Sequence, residues 1–393
     1  MNYIWLGLAI LSLIIWVVLL CFWGQFWQAN QRLEVKETEL EKWPYVCAVI
    51  PARNEADVLP ATMRSLLTQV YPGAFQIILV DDNSTDNTGK IAQKVAEELN
   101  KSEQIKAIFG EPLPPGWSGK LWAMEQGIRY AENLNPLPEY FLLTDADIEH
   151  HNINLRQLVT KSQQEDLDLV SLMVLLRCES FWEKLLIPSF VFFFQKLYPF
   201  PWVNNPKNPT AAAAGGCILI RRQALNRVGG IEVVKQALID DCSLAKAVKF
   251  PGKIWLGLTQ ETRSLRTYST LSSIWDMVAR TAFTQLNYSP FLLLGTLIGM
   301  TLVYIVPPVA AIAGALTGNW LIAVVGLFTW LLMAIAYFPT INLYKRSFLW
   351  SFCLPVIAFL YTLMTLDSAW RHWRGRGGAW KGRVYPVTIN TRS

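Results

Sequence analysis

The sequence predicts an α/β domain with a mostly parallel sheet, held between an N-terminal membrane anchor and a C-terminal cluster of transmembrane helices. Three observations predict it. Short β-forming runs alternate with helix-spaced segments from residue 45 onward. Three of those runs end in polar clusters, and long uncharged stretches flank the whole.

The flanks come first because they set the class. With 393 residues, 52% of them hydrophobic, and 17 Trp, the chain is too apolar for an ordinary soluble enzyme. Residues 3–23, "YIWLGLAILSLIIWVVLLCFW", carry no charge over the length that spans a hydrocarbon core. No charged region precedes them and no small-residue cleavage site follows, so residues 1–28 read as a retained anchor. Further apolar stretches at 291–317, 320–342 and 348–367 make 291–370 a transmembrane cluster, followed by a basic tail, 371–393. Residues 29–290 are left for one domain.

Arg32, Lys36 and Lys42 follow the first span, whereas Met1 and Asn2 bring no basic side chain. Positive-inside bias therefore puts the domain in the cytoplasm of a multi-pass protein in a bacterial-type inner membrane. Lys345–Arg346 and the tail "RHWRGRGGAWKGR" are also basic and belong on the same side. Three full C-terminal crossings cannot satisfy this, since an odd number moves the tail across. One stretch is then re-entrant or interfacial, and 291–317, interrupted by Pro307–Pro308, is the candidate; the alternative is a tail outside. The aromatic stretch 180–203, broken by charges and three prolines, is expected at the membrane interface, with a buried core helix as the alternative.

Within the domain, "YVCAVI" (45–50) is a buried-strand run, 58–69 has helical spacing, and "FQIILV" (75–80) is a second strand. "DDNSTDNTGKIAQKVAEELN" is a polar loop entering an amphipathic helix, and "YFLLT" is another strand followed by "DADIEH". Ligands of such sheets bind at the carboxyl ends of strands. Arg53-Asn54-Glu55, Asp81-Asp82 and Asp145-x-Asp147 all lie there, and their joint placement favours one nucleotide-sized site over three unrelated turns. No phosphate-loop or dinucleotide fingerprint accompanies them. Gly119-Lys120 is too short a match for a phosphate loop, yet Lys120 supplies a cation for a diphosphate. Six scattered cysteines without a C-x-x-C pair indicate neither zinc nor a disulfide framework. His150 and His151 are expected to face solvent rather than bind metal.

The motifs "VIPARNEADVLP", "LVDDNSTDNT", "GWSGKLWAMEQG", "LLTDADI", "AAAAGGCILIRR", "LIDDCSLAKAV" and "MVARTAFTQLNYSP", in this order, resemble family 2 glycosyltransferases of the Rossmann-like GT-A fold. The pattern is similar to the hopene-associated glycosyltransferases of the HpnB type. The resemblance implies that Pro51, Arg53 and Glu55 border the base and ribose, that Asp82 reads the uracil edge, and that Asp145 and Asp147 hold Mn²⁺ or Mg²⁺ against the diphosphate. It also implies that Asp241, beside Asp240, is the general base, whereas Asp240-Asp241 read alone are equally first-turn carboxylates favoured by a helix dipole. Of the family's Q-x-x-R-W only Arg280 remains, in "MVART", expected either to meet the diphosphate of the nucleotide-sugar or to be a surface arginine ahead of a membrane segment. That loss argues for transfer of one sugar rather than polymer synthesis.

The implied partners are a nucleotide-sugar, UDP-hexose favoured, a lipid hydroxyl acceptor such as a hopanoid, and the bilayer, without nucleic acid. A polyisoprenyl-phosphate sugar synthase and a non-catalytic membrane scaffold stand as alternatives.

Overall fold

A computed structural model describes residues 2–33 and 40–375, and the backbone of 379–380 and 383–384. Lys36 and the tail's remaining basic residues lie outside the described side chains.

Eight strands form one sheet: β1 Val46–Ala52, β2 Phe75–Asp81, β3 Ile105–Phe109, β4 Tyr140–Thr144, β5 Ile148–Glu149, β6 Leu169–Leu175, β7 Cys217–Arg221 and β8 Ile254–Ser264. Their order is β3-β2-β1-β4-β7-β6-β8-β5. β1, β2, β3 and β4 pair in parallel, as do β6 and β8; β7 inserts antiparallel between β4 and β6. This is the expected GT-A, Rossmann-like arrangement. β1 and β4 are buried at every position, as covering both faces of a sheet demands. Pro51 is tolerated in a central strand because β1 pairs with β4 only as far as Val49.

One sheet face is covered by α2 Leu59–Leu67, α3 Thr88–Glu98 and α5 Asn154–Gln164, through Met63, Leu66, Ala92 and Leu158. The other carries α4 Gly119–Ala131 and α9 Asp240–Lys249, through Leu121, Met124, Leu244 and Val248. α1 is Asn2–Phe22, α6 Phe181–Leu197, α7 Phe200–Asn204 and α8 Arg222–Arg227. α10 Leu271–Ala279 and α11 Ala282–Gln285 lead to the C-terminal helices.

The second core does not stop at the domain. It runs through Leu186, Val191 and Phe192 of α6 to Met333 and Tyr337 of α14 Trp320–Leu343. The 180–203 stretch is thus largely a buried bridge between sheet and membrane helices: Phe192 stacks on Phe26 and Tyr337, while Phe181 and Leu197 at its ends stay exposed. Its apolar composition is explained by packing on two sides.

Among the described residues, four helical segments are long and apolar enough to cross a membrane: Tyr3–Phe22, Pro290–Leu316, Trp320–Leu343 and Phe348–Trp373. The second consists of α12 Pro290–Met300, a π turn at Thr301–Ile305 and α13 Val306–Leu316. Pro307–Pro308 do not break it, contrary to expectation. They occupy the first turn of α13, where a missing N–H leaves no partner waiting. α13 and α14 lie backbone to backbone: a Cβ on Gly326 would sit 2.4 Å from the Ala311 nitrogen, and one on Gly314 2.5 Å from that of Ala323. The last segment is a 3₁₀ turn, Phe348–Cys353, and α15 Leu354–Trp373.

Candidate active site

The polar clusters converge at the carboxyl ends of β1, β2 and β4. The loop after β1 is braced by the one after β2. Asn54, in the left-handed region (φ 51°), receives Thr85 N–H on Oδ1 at 2.8 Å and donates its own N–H to Ser84 Oγ at 3.0 Å. Glu55 N–H reaches Thr88 Oγ1, and Ala56 N–H reaches Asp86 Oδ2, each at 3.0 Å. Asp81 ties the N–H groups of Ser84 and Gly89 at 2.8 and 3.1 Å. Most of "DDNSTDNT" is therefore scaffolding. Asp82 is the member aimed at Arg53, whose Nη1 donates to the Asp82 carbonyl at 2.6 Å and lies 3.5 Å from Oδ2.

The D-x-D carboxylates meet two different cations. Asp145 Oδ1 lies 2.8 Å from Lys120 Nζ, and the same ammonium is 3.8 Å from Asp240 Oδ2. Burial alone would lower the Lys120 pKa, but Asp145 and Asp240 outweigh it and keep the amine charged. Asp147 Oδ2 accepts from Arg266 Nε at 2.6 Å, and Arg266 Nη2 reaches Glu55 Oε1 at 3.0 Å. Burial, and the charge of Asp145, still hold the Asp147 carboxyl above its ordinary range, against the pull of Arg266. The β5–β8 pairing and the bond from Leu265 N–H to the Asp147 carbonyl, 2.8 Å, carry Arg266 into place.

Asp241 completes the group. Its Oδ2 accepts from Gly215 N–H at 2.8 Å, and Oδ1 from Cys242 N–H at 2.7 Å. Gly215, two residues ahead of β7, packs closely on the pair: a Cβ there would lie 3.3 Å from Asp241 Oδ2 and 3.4 Å from Lys120 Nζ. Burial and the neighbouring Asp240 push the Asp241 pKa up to about 6, with Lys120 opposing. A carboxylate so placed is ionised at neutral pH and more basic than usual.

One expectation changes. His150 is buried, not solvent-facing: Nε2 is 2.9 Å from Thr144 Oγ1 and Nδ1 accepts from Asn154 Nδ2 at 3.0 Å. Burial holds its pKa down at about 3, so it is a neutral strut with both ring nitrogens engaged. His151 Nδ1 lies 3.3 Å from Glu261, and Glu149 pairs with Arg263 at 2.7 Å, so neither joins the site. Arg280 is exposed just past α10, and its charge is felt at Tyr268, which also feels Arg266, Asp147 and Asp145. Arg266, Gly215 and Glu183, the last through its bond to Tyr268 N–H, were not legible as site residues. Gly215-Gly216 before a strand was the nearest signal; Arg266, in "RSLRTYST", offers none.

Among the described residues, no three His, Cys, Asp or Glu side chains already converge as a metal site. The charge balance nevertheless fits a divalent cation. The six carboxylates Glu55, Asp82, Asp145, Asp147, Asp240 and Asp241 face Lys120, Arg266 and Arg53, leaving surplus negative charge. Asp145 is also about a third exposed (35%), and carboxylate oxygens suit a hard ion that keeps water and phosphate ligands.

The family model described as glycosyl transferase family 2 matches residues 47–229, which hold every strand but β8 and every site residue except those from Asp240 onward. Residues 47–229 are thus similar in sequence to family 2 glycosyltransferases. The domain is similar to a probable glycosyltransferase, YdaM, of Bacillus subtilis, 32% identical over 122 residues, or 29% of this chain and 28% of that protein. It is also similar to a beta-monoglucosyldiacylglycerol synthase of Nostoc sp., 26% identical over 206 residues, or 51% and 40% of the two chains. A 4,4'-diaponeurosporenoate glycosyltransferase of Staphylococcus haemolyticus is 27% identical over 127 residues, 32% and 30%. The chain thus spans less than half the length of these relatives. The fold of this glycosyltransferase domain and its helices is shared with the mannosyltransferase PcManGT from Pyrobaculum calidifontis, solved with GDP-Man and Mn²⁺. The TM-score is 0.57 at 16% identity, over 91% of this chain and 99% of that one.

Proposed function

We propose that this protein is a membrane-bound, inverting glycosyltransferase that moves one sugar from a nucleotide-sugar, UDP-hexose favoured, to a lipid hydroxyl at the cytoplasmic membrane face. A hopanoid or another isoprenoid lipid is the acceptor the HpnB-type resemblance suggests. The observation that carries the reading is Asp241, a half-buried carboxylate with its pKa pushed up to about 6, linked through Asp240 and Lys120 to the D-x-D residue Asp145. The names of the relatives, among them a diacylglycerol and a diaponeurosporenoate enzyme, support a lipid acceptor.

In this reading Arg53, Glu55, Asp82 and Pro51 border the nucleoside. Asp145 and Asp147 would hold Mn²⁺ or Mg²⁺, which when bound neutralises charge on the departing diphosphate. Asp241 takes the acceptor hydroxyl's proton as that oxygen attacks the anomeric carbon. The bond from that carbon to the diphosphate breaks, its electron pair leaves with the nucleoside diphosphate, and the configuration inverts. Lys120 adds positive charge on the leaving side. The bonds from Gly215 and Cys242 N–H fix the orientation of the base while leaving lone pairs for the acceptor proton.

The test is incubation of membranes holding the protein with radiolabelled UDP-glucose, UDP-galactose or GDP-mannose, followed by lipid extraction. Label in a lipid fraction from a UDP-hexose, lost in Asp241→Asn, is the expected result. No labelled lipid from any donor overturns the proposal. Undiminished labelling by Asp241→Asn would point instead to an acceptor already ionised, a polyisoprenyl phosphate.

A further inference from the structure

Each of three apolar segments has one end at the glycosyltransferase domain and one end away from it. The far end is marked by Ala9, Ala310 and Ile322, which pack together with Leu6 and Val325. At the near end, Trp23 Nε1 donates to the Lys196 carbonyl at 2.9 Å, and Leu33 N–H pairs with Leu258 of β8. Leu293 in α12 packs on Phe283, just past α10, and the Leu343 carbonyl of α14 accepts from Gln260 of β8 at 2.8 Å. α1, α12–α13 and α14 therefore each run from one side to the other.

The fourth segment does not. Arg346, just ahead of it, donates to the Cys178 carbonyl, close after β6. Phe348 then stacks on Phe338 and Phe352 on Trp330, whose Nε1 donates to the Phe352 carbonyl at 3.2 Å. Trp330 lies about 20 Å along α14 from Leu343 at the rise of an α-helix. The 3₁₀ leg thus climbs beside α14 to about its middle. α15 comes back to the domain. Tyr361 OH reaches the Leu186 carbonyl of α6 at 2.9 Å, Trp275 Nε1 donates to Asp367 at 2.7 Å, Phe283 N–H to Ser368 at 3.0 Å, and Arg371 to Asp276 at 2.7 Å.

We propose that residues 347–373 form a re-entrant segment, that the chain crosses the bilayer three times, and that its basic tail lies on the same side as the glycosyltransferase domain. The inference rests on reading α1, α12–α13 and α14 as spans and on no catalytic role. It removes the conflict over charge: two C-terminal crossings instead of three put Arg371, Arg374 and the tail with Arg32, Lys345 and Arg346. Backbone outside a regular α-helix at membrane depth requires protein cover, and in the 3₁₀ leg Ser351 is buried and Trp350, Phe352 and Cys353 are partly buried, while Phe348 and Leu349 at its start are exposed. The outer stripe of α15, Val356, Phe359, Leu366, Trp370 and Trp373, is exposed at helical spacing and ends in the tryptophans that favour a membrane interface. The lipid bilayer is its occupant, continuous with the surfaces of the three spans.

In the full chain with its exposed Cys21 and half-buried Cys353 replaced by Ser, a cysteine is placed in turn at Gly318, between α13 and α14; at Lys101, on the domain; and at Ser393, the parent without an added cysteine giving the background. A membrane-impermeant maleimide is then applied to right-side-out and inverted vesicles. Gly318→Cys should react from one side, and Lys101→Cys and Ser393→Cys from the other. Ser393→Cys reacting together with Gly318→Cys would establish a fourth crossing and overturn the proposal, as would Gly318→Cys reacting together with Lys101→Cys. A C-terminal reporter fusion of the unsubstituted chain, active on one face only, repeats the test without relying on the variants. Neither readout depends on sugar transfer, so loss of the functional reading leaves this result standing.

Discussion

At the scale of single residues, the site is governed by carboxylates that outnumber their cations. Asp241→Asn is expected to lower turnover by about 10²–10⁴-fold, the usual contribution of a positioned base, with substrate affinity little changed. Because burial and Asp240 raise the Asp241 pKa to about 6, activity should fall as pH drops through 6, which a rate profile from pH 4.5 to 8 would reveal. The stability effect has the opposite sense. A carboxyl whose folded pKa is raised stabilises the fold only while protonated, and that contribution disappears as pH rises through about 6. Asp241→Asn should therefore be more stable to unfolding than the parent at pH 7, by about 1–3 kcal/mol, with the gap closing near pH 4. Arg266→Ala removes the cation shared by Asp147 and Glu55. A loss of about 1–3 kcal/mol is expected, below that of a fully buried pair because Arg266 is about a third exposed (37%). Added Mn²⁺ should raise the melting temperature of this variant more than that of the parent.

Among elements, α6 holds two parts of the molecule in register. Ser180 and Glu183 form a capping box, and Glu183 Oε1 accepts from Tyr268 N–H at 2.8 Å, tethering the segment that carries Arg266. Burial alone would raise the Glu183 pKa, but the N–H groups of Ser180, Tyr268 and Glu179 hold it below the usual range. Its stabilisation is present above the ordinary carboxylate pKa and is lost as pH falls through the depressed value. Glu183→Ala should cost about 1–2 kcal/mol and reduce turnover, read by melting and by kinetics on the same preparation. In the membrane helices, Gly326→Val would force α14 away from Ala311 and Pro307, whose atoms lie 2.4 and 2.7 Å from an added Cβ. A loss of about 1–3 kcal/mol in detergent stability is expected, whereas Gly295→Ala, where an added Cβ meets nothing within 4 Å, should be neutral.

For the whole molecule, one apolar core runs from the sheet through α6 to α14, so the domain and the membrane helices are expected to unfold together. Much of this was legible beforehand. Continuous apolar runs announce strands covered on both faces, so β1, β2 and β4 emerged within two residues of their observed ends. A motif at a strand end needs only its neighbours in sequence, which is why Arg53, Asp82, Asp145 and Asp147 could be named together, whereas Asp241, in the first turn of α9, was named only through the family resemblance. The antiparallel β7 was not legible, because an apolar run carries no sign of its direction. Arg266 was missed for a related reason: it reaches Asp147 across 119 residues, through a β5–β8 pairing too short to leave a periodic trace. His150 was misjudged because its burial depends on Thr144 and Asn154 closing around it. Composition and local pattern by themselves determined the α/β class, the apolar segments and most of the carboxylates. Tertiary structure decided which cation each carboxylate meets and where each apolar segment returns, because both depend on contacts between residues far apart in the chain.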